Sequence, residues 1–168
     1  MKKILLVQPS LRKNSLTALI LRELYDMLNE FWDLETELFD LRGKHLEFCD
    51  EREISEYSQD IQELYQKMQE SESIIFWFPV YHYAISGVLK NLLDICGEAL
   101  TEKHVWVIVS AIYSDCQMAY EHFFESFEKK YNIQRLQHVP YILNSDFSDE
   151  KLGLLWKRQL EKFVKILL

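Results

Sequence analysis

Three unbroken apolar runs, separated by segments with helical periodicity, constrain the fold of this chain most strongly. The runs cover residues 4–7, 73–78 and 105–109. Strands that are apolar on both sides are typical of a parallel sheet covered by helices on both faces. Each run is followed by a segment in which apolar residues recur every three or four positions, which predicts a helix. The chain is therefore expected to alternate strands and helices.

Two weaker runs complete the alternation and are expected at the sheet edges. Residues 34–41 alternate acidic and apolar side chains, and residues 133–143 contain Pro140, which cannot donate to a strand ladder. With the apolar runs inside, the parallel sheet takes the order 2-1-3-4-5. The predicted fold is thus α/β, a flavodoxin-like three-layer sandwich with helices on both faces. Because no repeat or linker divides the chain, residues 1–168 are expected to form a single domain.

Capping residues predict where several helices begin. Asn14 or Ser15 is expected to cap the first helix, and the helix after the third strand is expected to begin at about Ser86. Ser148 is expected to cap the last helix. The two acidic residues that follow Ser148 would lie in the first turn, where the helix dipole favours negative charge.

Composition restricts the classes of function. The net charge of -8 argues against broad nucleic-acid binding, which depends on basic surfaces. The three cysteines include no C-x-x-C pair and the histidines lack metal-ligand spacing, so no metal site is predicted. Free thiols favour a reducing compartment. With no signal-peptide pattern and no apolar run long enough to insert into a membrane, we expect a cytoplasmic protein.

The loops after the first and third strands are expected to meet at the point where this strand order reverses, which is where such sheets bind ligands. The first loop, residues 9–15, offers hydroxyl and guanidinium donors just before a helix N-terminus, an arrangement that favours a phosphate. Helix capping and solvated cations would also explain these residues. The second loop, residues 79–86, is rich in aromatic side chains, which would line a ligand or pack against the sheet end or a partner subunit.

Both loops resemble those of the NADPH-dependent FMN reductase family, which includes NAD(P)H quinone oxidoreductase-like proteins. Residues 9–15, PSLRKNS, are similar to that family's first loop, G-S-L-R-x-x-S. Residues 79–81, PVY, and 87–94, GVLKNLLD, are similar to its pattern P-x-Y-N followed by P-G-x-L-K-N-x-x-D. The resemblance covers about residues 1–110, and beyond that only the order of elements is shared.

The resemblance implies an oxidoreductase with FMN as cofactor and NADPH or NADH as co-substrate. It would pass electrons to a small-molecule acceptor such as a quinone or free flavin. It also implies a homodimer. It assigns no catalytic side chain, because the cofactor carries the chemistry. The cofactor-binding residues it implies are Ser10, Arg12 and Ser15 for the phosphate, Pro79, Val80, Tyr81, His82 and Tyr83 for the ring, and Ser110 and Tyr113 in a third loop.

The sequence departs from the family pattern where glycine, asparagine and proline are usual. Pro9 replaces the first-loop glycine, His82 replaces an asparagine, and Ser86 replaces a proline. The third loop, residues 110–115, has no glycine, although glycine lets a backbone approach a flat ligand closely. Two alternatives follow: a flavodoxin-like electron carrier, and a flavodoxin-fold interaction module that has lost FMN.

Overall fold

A computed structural model describes residues 1–111, 117–135, 141–143, 147–148, 151–152 and 154–167. The strands are β1 (Lys2–Gln8), β2 (Leu34–Asp40), β3 (Ser73–Pro79), β4 (His104–Ala111), β5 (Gln134–Arg135), β6 (Tyr141–Leu143), β7 (Phe147–Ser148) and β8 (Lys151–Leu152). The helices are α1 (Leu16–Leu28), α2 (Gln59–Glu70), α3 (Gly87–Cys96), α4 (Gln117–Tyr131) and α5 (Leu154–Leu167). Within these ranges, no helix is both long and apolar enough to cross a membrane.

The main sheet is parallel and has the order β2-β1-β3-β4-β5, which confirms the predicted topology. The register aligns the carboxyl ends of the strands. Gln8 of β1 lies beside Asp40 of β2, and Pro79 of β3 lies beside Ser110 of β4. The loops that leave β1, β3 and β4 therefore start at one edge of the sheet.

The predicted fifth strand is two short strands rather than one. β5 pairs with the beginning of β4 and β6 pairs with its end, both in parallel. The two strands thus share the edge of β4 that residues 133–143 were expected to occupy. Residues 136–140 lie outside the described ranges, so the placement of Pro140 stays a prediction.

The two faces of the sheet bury separate layers of side chains. Ile75 and Trp77 of β3 pack toward α1 and α5, whereas Ile74, Phe76 and Phe78 pack toward α2, α3 and α4. Because successive side chains of a strand point to opposite faces, a strand covered on both sides must be apolar throughout. The unbroken run at residues 73–78 follows from this arrangement.

The aromatic stripe of α4 belongs to the core. The ring of Phe123 lies 5.9 Å from that of Phe76 and 6.1 Å from that of Phe78, and Tyr120 and Phe127 are also buried. Burying a side chain of this kind contributes roughly 1.5–3 kcal/mol. The stripe therefore holds α4 against β3.

The predicted cap at Ser15 is confirmed, and the predicted cap at Ser148 is wrong. The Ser15 hydroxyl accepts a hydrogen bond from the Ala18 N–H (3.3 Å), and Ser86 caps α3 in the same way. Ser148 does not cap a helix, because it lies in β7, which pairs with β8 in an antiparallel hairpin. The chain enters α5 only at Leu154, after Gly153, a residue type that disfavours helix interiors.

Candidate functional site

The first and second loops enclose a depression of about 300 Å³ at the carboxyl ends of β1 and β3. Ser10 and Arg12 line one side, and Pro79 and Tyr81 line the other. These four residues were predicted to share a site, and the structure brings them together. The rest of the wall is formed by Pro9, Leu11, Ser86 and Val88.

The first loop combines a buried hydroxyl residue with an exposed cation. Ser10 is buried, and its backbone N–H donates to the side-chain oxygen of Gln8. Arg12 is exposed and has no carboxylate within ion-pairing distance in the part of the chain that the structure describes. Its guanidinium group is therefore free to bind an anion at the mouth of the depression.

Ser15 does not line this depression. It is buried at the start of α1, where its hydroxyl accepts the capping hydrogen bond, and it forms part of a second cavity together with Gln8 and Lys13. The structure thus separates Ser15 from Ser10 and Arg12, with which it was grouped. Its side chain serves the helix N-terminus that the first loop leads into.

The second loop makes a tight turn with a strained backbone. The Tyr81 N–H donates to the Ala84 carbonyl (3.2 Å), and the Ala84 N–H donates to the Tyr81 carbonyl (3.0 Å). The two residues between them have positive φ, 52° at His82 and 61° at Tyr83, as a type I′ turn requires. Histidine tolerates this region moderately, but a bulky tyrosine there is an outlier.

This turn displays aromatic rings next to the depression. Tyr81 is 46% exposed and Tyr83 is 52% exposed. Strained residues of this kind cost free energy and concentrate at functional sites. Val80 lies beneath them, half-buried, and its N–H donates to the Ser110 carbonyl (2.8 Å). The turn is therefore anchored to β4 while its tip faces outward.

Ser110 supports the site from inside the protein. Its hydroxyl lies 3.2 Å from that of Thr17, in the first turn of α1, and both residues are buried. The Ser110 side chain is thus occupied by Thr17 rather than directed into the depression. Sequence reasoning missed Thr17, and a hydroxyl residue just after a helix cap is too common a pattern to single it out. Tyr113 lies outside the described residues, so its role stays a prediction.

The start of α3 is braced by two polar side chains. Asn91 accepts a hydrogen bond from the Cys49 N–H (2.9 Å) and donates to the Glu47 carbonyl (2.8 Å), which ties the segment after β2 to α3. Lys90 pairs with Asp94 on the helix surface, 2.7 Å from one carboxylate oxygen, as expected for an exposed lysine. Neither residue lines the depression.

Gln8 supports the first loop from beneath, through its bond to the Ser10 N–H, and the sequence did not identify it. It ends β1 and is only 1% exposed, and its side-chain Nε2 has no hydrogen-bond partner in the described part of the chain. A polar residue at the end of an apolar strand is the signal that would have found it. Across the same ranges, no three His, Cys, Asp or Glu side chains cluster as metal ligands would.

Comparison with known families identifies the sequence relatives of this chain. The model of the NADPH-dependent FMN reductase family matches residues 2–144. An NAD(P)H-dependent FAD/FMN reductase of Geobacillus thermodenitrificans (strain NG80-2) is 32% identical over 72 residues, which are 42% of this chain and 39% of that protein. An FMN-dependent NADPH-azoreductase of Staphylococcus aureus (strain USA300) is 34% identical over 94 residues, 54% of this chain and 50% of that protein. The chain thus spans half or less of the length of these two relatives.

Solved structures share the fold over nearly the whole chain. The apo form of an NADH:FMN oxidoreductase (EMOB) matches with a TM-score of 0.76 at 14% identity, covering 96% of this chain and 86% of that one. FerB, an NAD(P)H:(acceptor) oxidoreductase from Paracoccus denitrificans, matches with a TM-score of 0.75 at 18% identity, covering 99% and 94%. At these identities the likeness establishes the fold alone. Since the family model covers most of the sequence, the chain belongs to the NADPH-dependent FMN reductase family.

Proposed function

We propose that this chain is an FMN-dependent oxidoreductase that takes a hydride from NADPH or NADH and passes electrons to a small-molecule acceptor. The acceptor would be a quinone, a free flavin or a similar compound. One observation carries the proposal: the two loops that resemble the family's flavin loops face each other across a single depression, with Arg12 on one side and Tyr81 on the other. The reductase activities of the sequence relatives agree with it.

The residues around the depression fit a flavin nucleotide. Ser10 supplies a hydroxyl, and Arg12 supplies a guanidinium group with no ion-pair partner among the described residues; both suit a phosphate. Pro79 and Tyr81 supply an apolar and aromatic wall, which suits the ring. FMN, when bound, supplies the chemistry of accepting a hydride and releasing electrons. The protein would supply orientation and exclusion of water.

Each residue would then have a defined task. Arg12 would neutralise the phosphate, and Tyr81 and Tyr83 would cover the ring and shield it from water. The backbone N–H groups of His82 and Tyr83 have no partner among the described residues, so they can donate to the polar edge of the ring. Ser110 would hold Val80, and through it the turn, at a fixed height above the sheet. Tyr113 would close the site from the third loop.

We also propose that the protein acts as a cytoplasmic homodimer with one domain per chain. Such a contact would cover exposed apolar side chains such as Phe48, which is 86% exposed, and Met118, which is 68% exposed. Cys49 and Cys96 are unpaired thiols, which suits a reducing compartment. Light scattering coupled to size exclusion tests the dimer, and Phe48→Ser should shift the protein toward monomer. A wild-type monomer at micromolar concentration would contradict the dimer.

Steady-state turnover tests the proposed activity. Protein mixed with FMN should oxidise NADPH or NADH when a quinone or free flavin is present, at a rate proportional to the protein concentration. The Arg12→Ala variant should lose most of this rate at low FMN. Flavin binding without nicotinamide oxidation would favour the electron carrier instead. Failure to bind FMN at all would exclude both and leave the interaction module.

A further inference from the structure

A second cavity, of about 460 Å³, lies on the opposite side of β1 from the depression between the loops. It is formed between the first turns of α1 and the carboxyl end of β2. One wall is apolar and includes Leu19, which is 48% exposed, and Leu38. The lining also includes the cations Lys13 and Arg22. The volume falls within the range of about 300–1,000 Å³ that is typical of small-molecule sites.

Gln8 places a buried hydrogen-bond donor in the wall of this cavity. It pairs in register with Asp40 of β2, which also lines the cavity. The side-chain oxygen of Gln8 already accepts the Ser10 N–H, but its Nε2 has no partner in the described part of the chain. The Nε2 has almost no accessible surface, so a ligand oxygen reaches it only after the Gln8 amide turns toward the cavity. Because an unsatisfied buried donor is unfavourable, a bond to that oxygen would stabilise the turned amide.

The cavity also carries positive charge that its own carboxylate does not cancel. Among the residues that the structure describes, the only acidic side chain in its wall is Asp40. Arg42 binds it, with both carboxylate oxygens 3.0 Å from the Arg42 Nε. Burial raises the pKa of Asp40, but the bonds from Arg42 outweigh it and leave the pKa below its usual value. Asp40 therefore stays ionised, and its charge is paired with that of Arg42.

Lys13 and Arg22 remain as weakly compensated cations. Lys13 has no carboxylate within ion-pairing distance among the residues that the structure places, and Arg22 reaches only Asp26, at 3.6 Å between two largely exposed side chains. Exposed pairs of this kind hold a charge weakly. In a chain with a net charge of -8, this local excess of positive charge does not follow from composition. It attracts anions to the cavity.

We propose that this cavity binds a small organic anion. Its apolar body packs against Leu19 and Leu38, and its phosphate or carboxylate group faces Lys13, Arg22 and the Nε2 of Gln8. The site is separate from the flavin depression and does not depend on the proposed function. It is connected to the first loop, however, because Gln8 also holds the Ser10 backbone.

Titration of the ¹⁵N-labelled protein with phenyl phosphate, followed by NMR, tests this site. The protein is first saturated with FMN so that the depression between the loops is occupied, and the titration is repeated without FMN. We expect saturable shifts of the Gln8 side-chain amide signals and of the Ala18 and Leu19 backbone signals. Benzoate should shift the same signals. Inorganic phosphate, which lacks an apolar body, should bind at least ten-fold more weakly.

Two variants and a control localise the binding. Arg22→Ala should raise the Kd for phenyl phosphate at least five-fold without changing FMN affinity. Leu19→Glu places a carboxylate at the half-exposed wall and should abolish binding in a folded protein. Lys129→Ala, which removes an exposed cation from α4, should leave the Kd unchanged.

Several results would overturn the proposal. Shifts that do not saturate, or shifts confined to residues 79–88, would show that the probe does not use the cavity. Equal affinity for phenyl phosphate and inorganic phosphate would show that no apolar body packs against Leu19 and Leu38. Equal Kd values for Arg22→Ala and Lys129→Ala would show that Arg22 does not bind the anionic group. A protein that binds no FMN is still tested by the titration without FMN, so the two proposals fail independently.

Discussion

The hydroxyl groups of Thr17 and Ser110 lie 3.2 Å apart, although the residues are 93 positions apart in the sequence. This hydrogen bond joins the first turn of α1 to the end of β4. It therefore fixes the helix that follows the first loop relative to the strand that anchors the second loop. The two sides of the depression between the loops are held at a set distance by this buried link.

Replacing Thr17 with valine should destabilise the protein while preserving its shape. The change removes one hydroxyl of a buried pair and leaves the Ser110 hydroxyl with only the Phe78 carbonyl at 3.4 Å. We expect a loss of about 1 kcal/mol in the free energy of unfolding, measured by urea denaturation. Thr17→Ser retains the hydroxyl and should lose much less. A Thr17→Val variant that loses no more stability than Thr17→Ser would show that the hydrogen bond contributes little.

Arg12→Ala should weaken FMN binding by about 1–3 kcal/mol, the range for a hydrogen bond to a charged group. Quenching of FMN fluorescence measures the affinity. Lys13→Ala is the matched control, since it removes the same charge from the adjacent position but from the wall of the other cavity. If the two variants bind FMN equally well, Arg12 does not hold the phosphate.

Tyr83→Gly should stabilise the protein and impair its function. Glycine adopts the positive φ of 61° at this position without strain, so the free energy of unfolding should rise by about 1 kcal/mol. For a chain of this length, that raises Tm by about 2–4 °C. Nicotinamide oxidation should fall, because the exposed ring is lost. A lower Tm in the glycine variant would contradict the assignment of strain to this turn.

Gly97→Ala should destabilise the protein, whereas Gly87→Ala should not. A Cβ atom at Gly97 would lie 2.7 Å from the Tyr131 hydroxyl oxygen and 3.0 Å from the adjacent ring carbon. Overpacking of this kind costs about 1–3 kcal/mol. At Gly87 the same atom meets nothing within 4 Å, so alanine there should be neutral or slightly stabilising. Thermal unfolding of the two variants makes the comparison, and equal Tm values would refute the clash.

Stability should decrease as the pH falls below about 4, the ordinary pKa of an exposed carboxyl group. Hydrogen bonds from Lys67 lower the pKa of Glu37 despite its partial burial, and hydrogen bonds from Lys3 lower that of Glu70. A carboxyl group whose pKa is lower in the folded state contributes stability above its unfolded pKa. That stability is lost as the pH falls through the folded value.

Urea midpoints at pH 6 and pH 3 measure this loss, and Lys67→Met provides the control. Without Lys67, the pKa of Glu37 should lie closer to its ordinary value, so the difference between the two midpoints should shrink. A Lys67→Met variant with the same pH dependence as the wild type would show that Glu37 contributes nothing to acid sensitivity.

The sheet could be predicted from sequence because a strand that is buried on both faces must be apolar at every position. Only an interior parallel strand needs the unbroken apolar run of residues 73–78, and the two weaker runs then had to be edges. The end of the chain was less predictable. Ser148 carries a helix-capping signal, but pairing of β7 with β8 competes for the same backbone and prevails. Local patterns of this kind do not report which tertiary partner a segment finds.

The site was predicted in outline but not in detail. The loop patterns placed Ser10, Arg12, Pro79 and Tyr81 together, since the ends of parallel strands meet at one edge. The turn at residues 81–84 has neither glycine nor asparagine, so nothing in the sequence indicated its positive φ values. The pairing of Thr17 with Ser110 and the separation of Ser15 from the depression depend on how helices pack on the sheet. Such distances are set by the whole core.

The visible spectrum of the protein with bound flavin tests the central claim most directly. The protein is mixed with FMN and freed of excess flavin, and spectra are recorded in the absence of oxygen before and after NADPH or NADH is added. We predict that flavin absorbance stays with the protein and is lost when the nicotinamide is added, and that it returns when a quinone is supplied. A colourless protein, or bound flavin whose absorbance neither NADPH nor NADH changes, would contradict the proposed oxidoreductase.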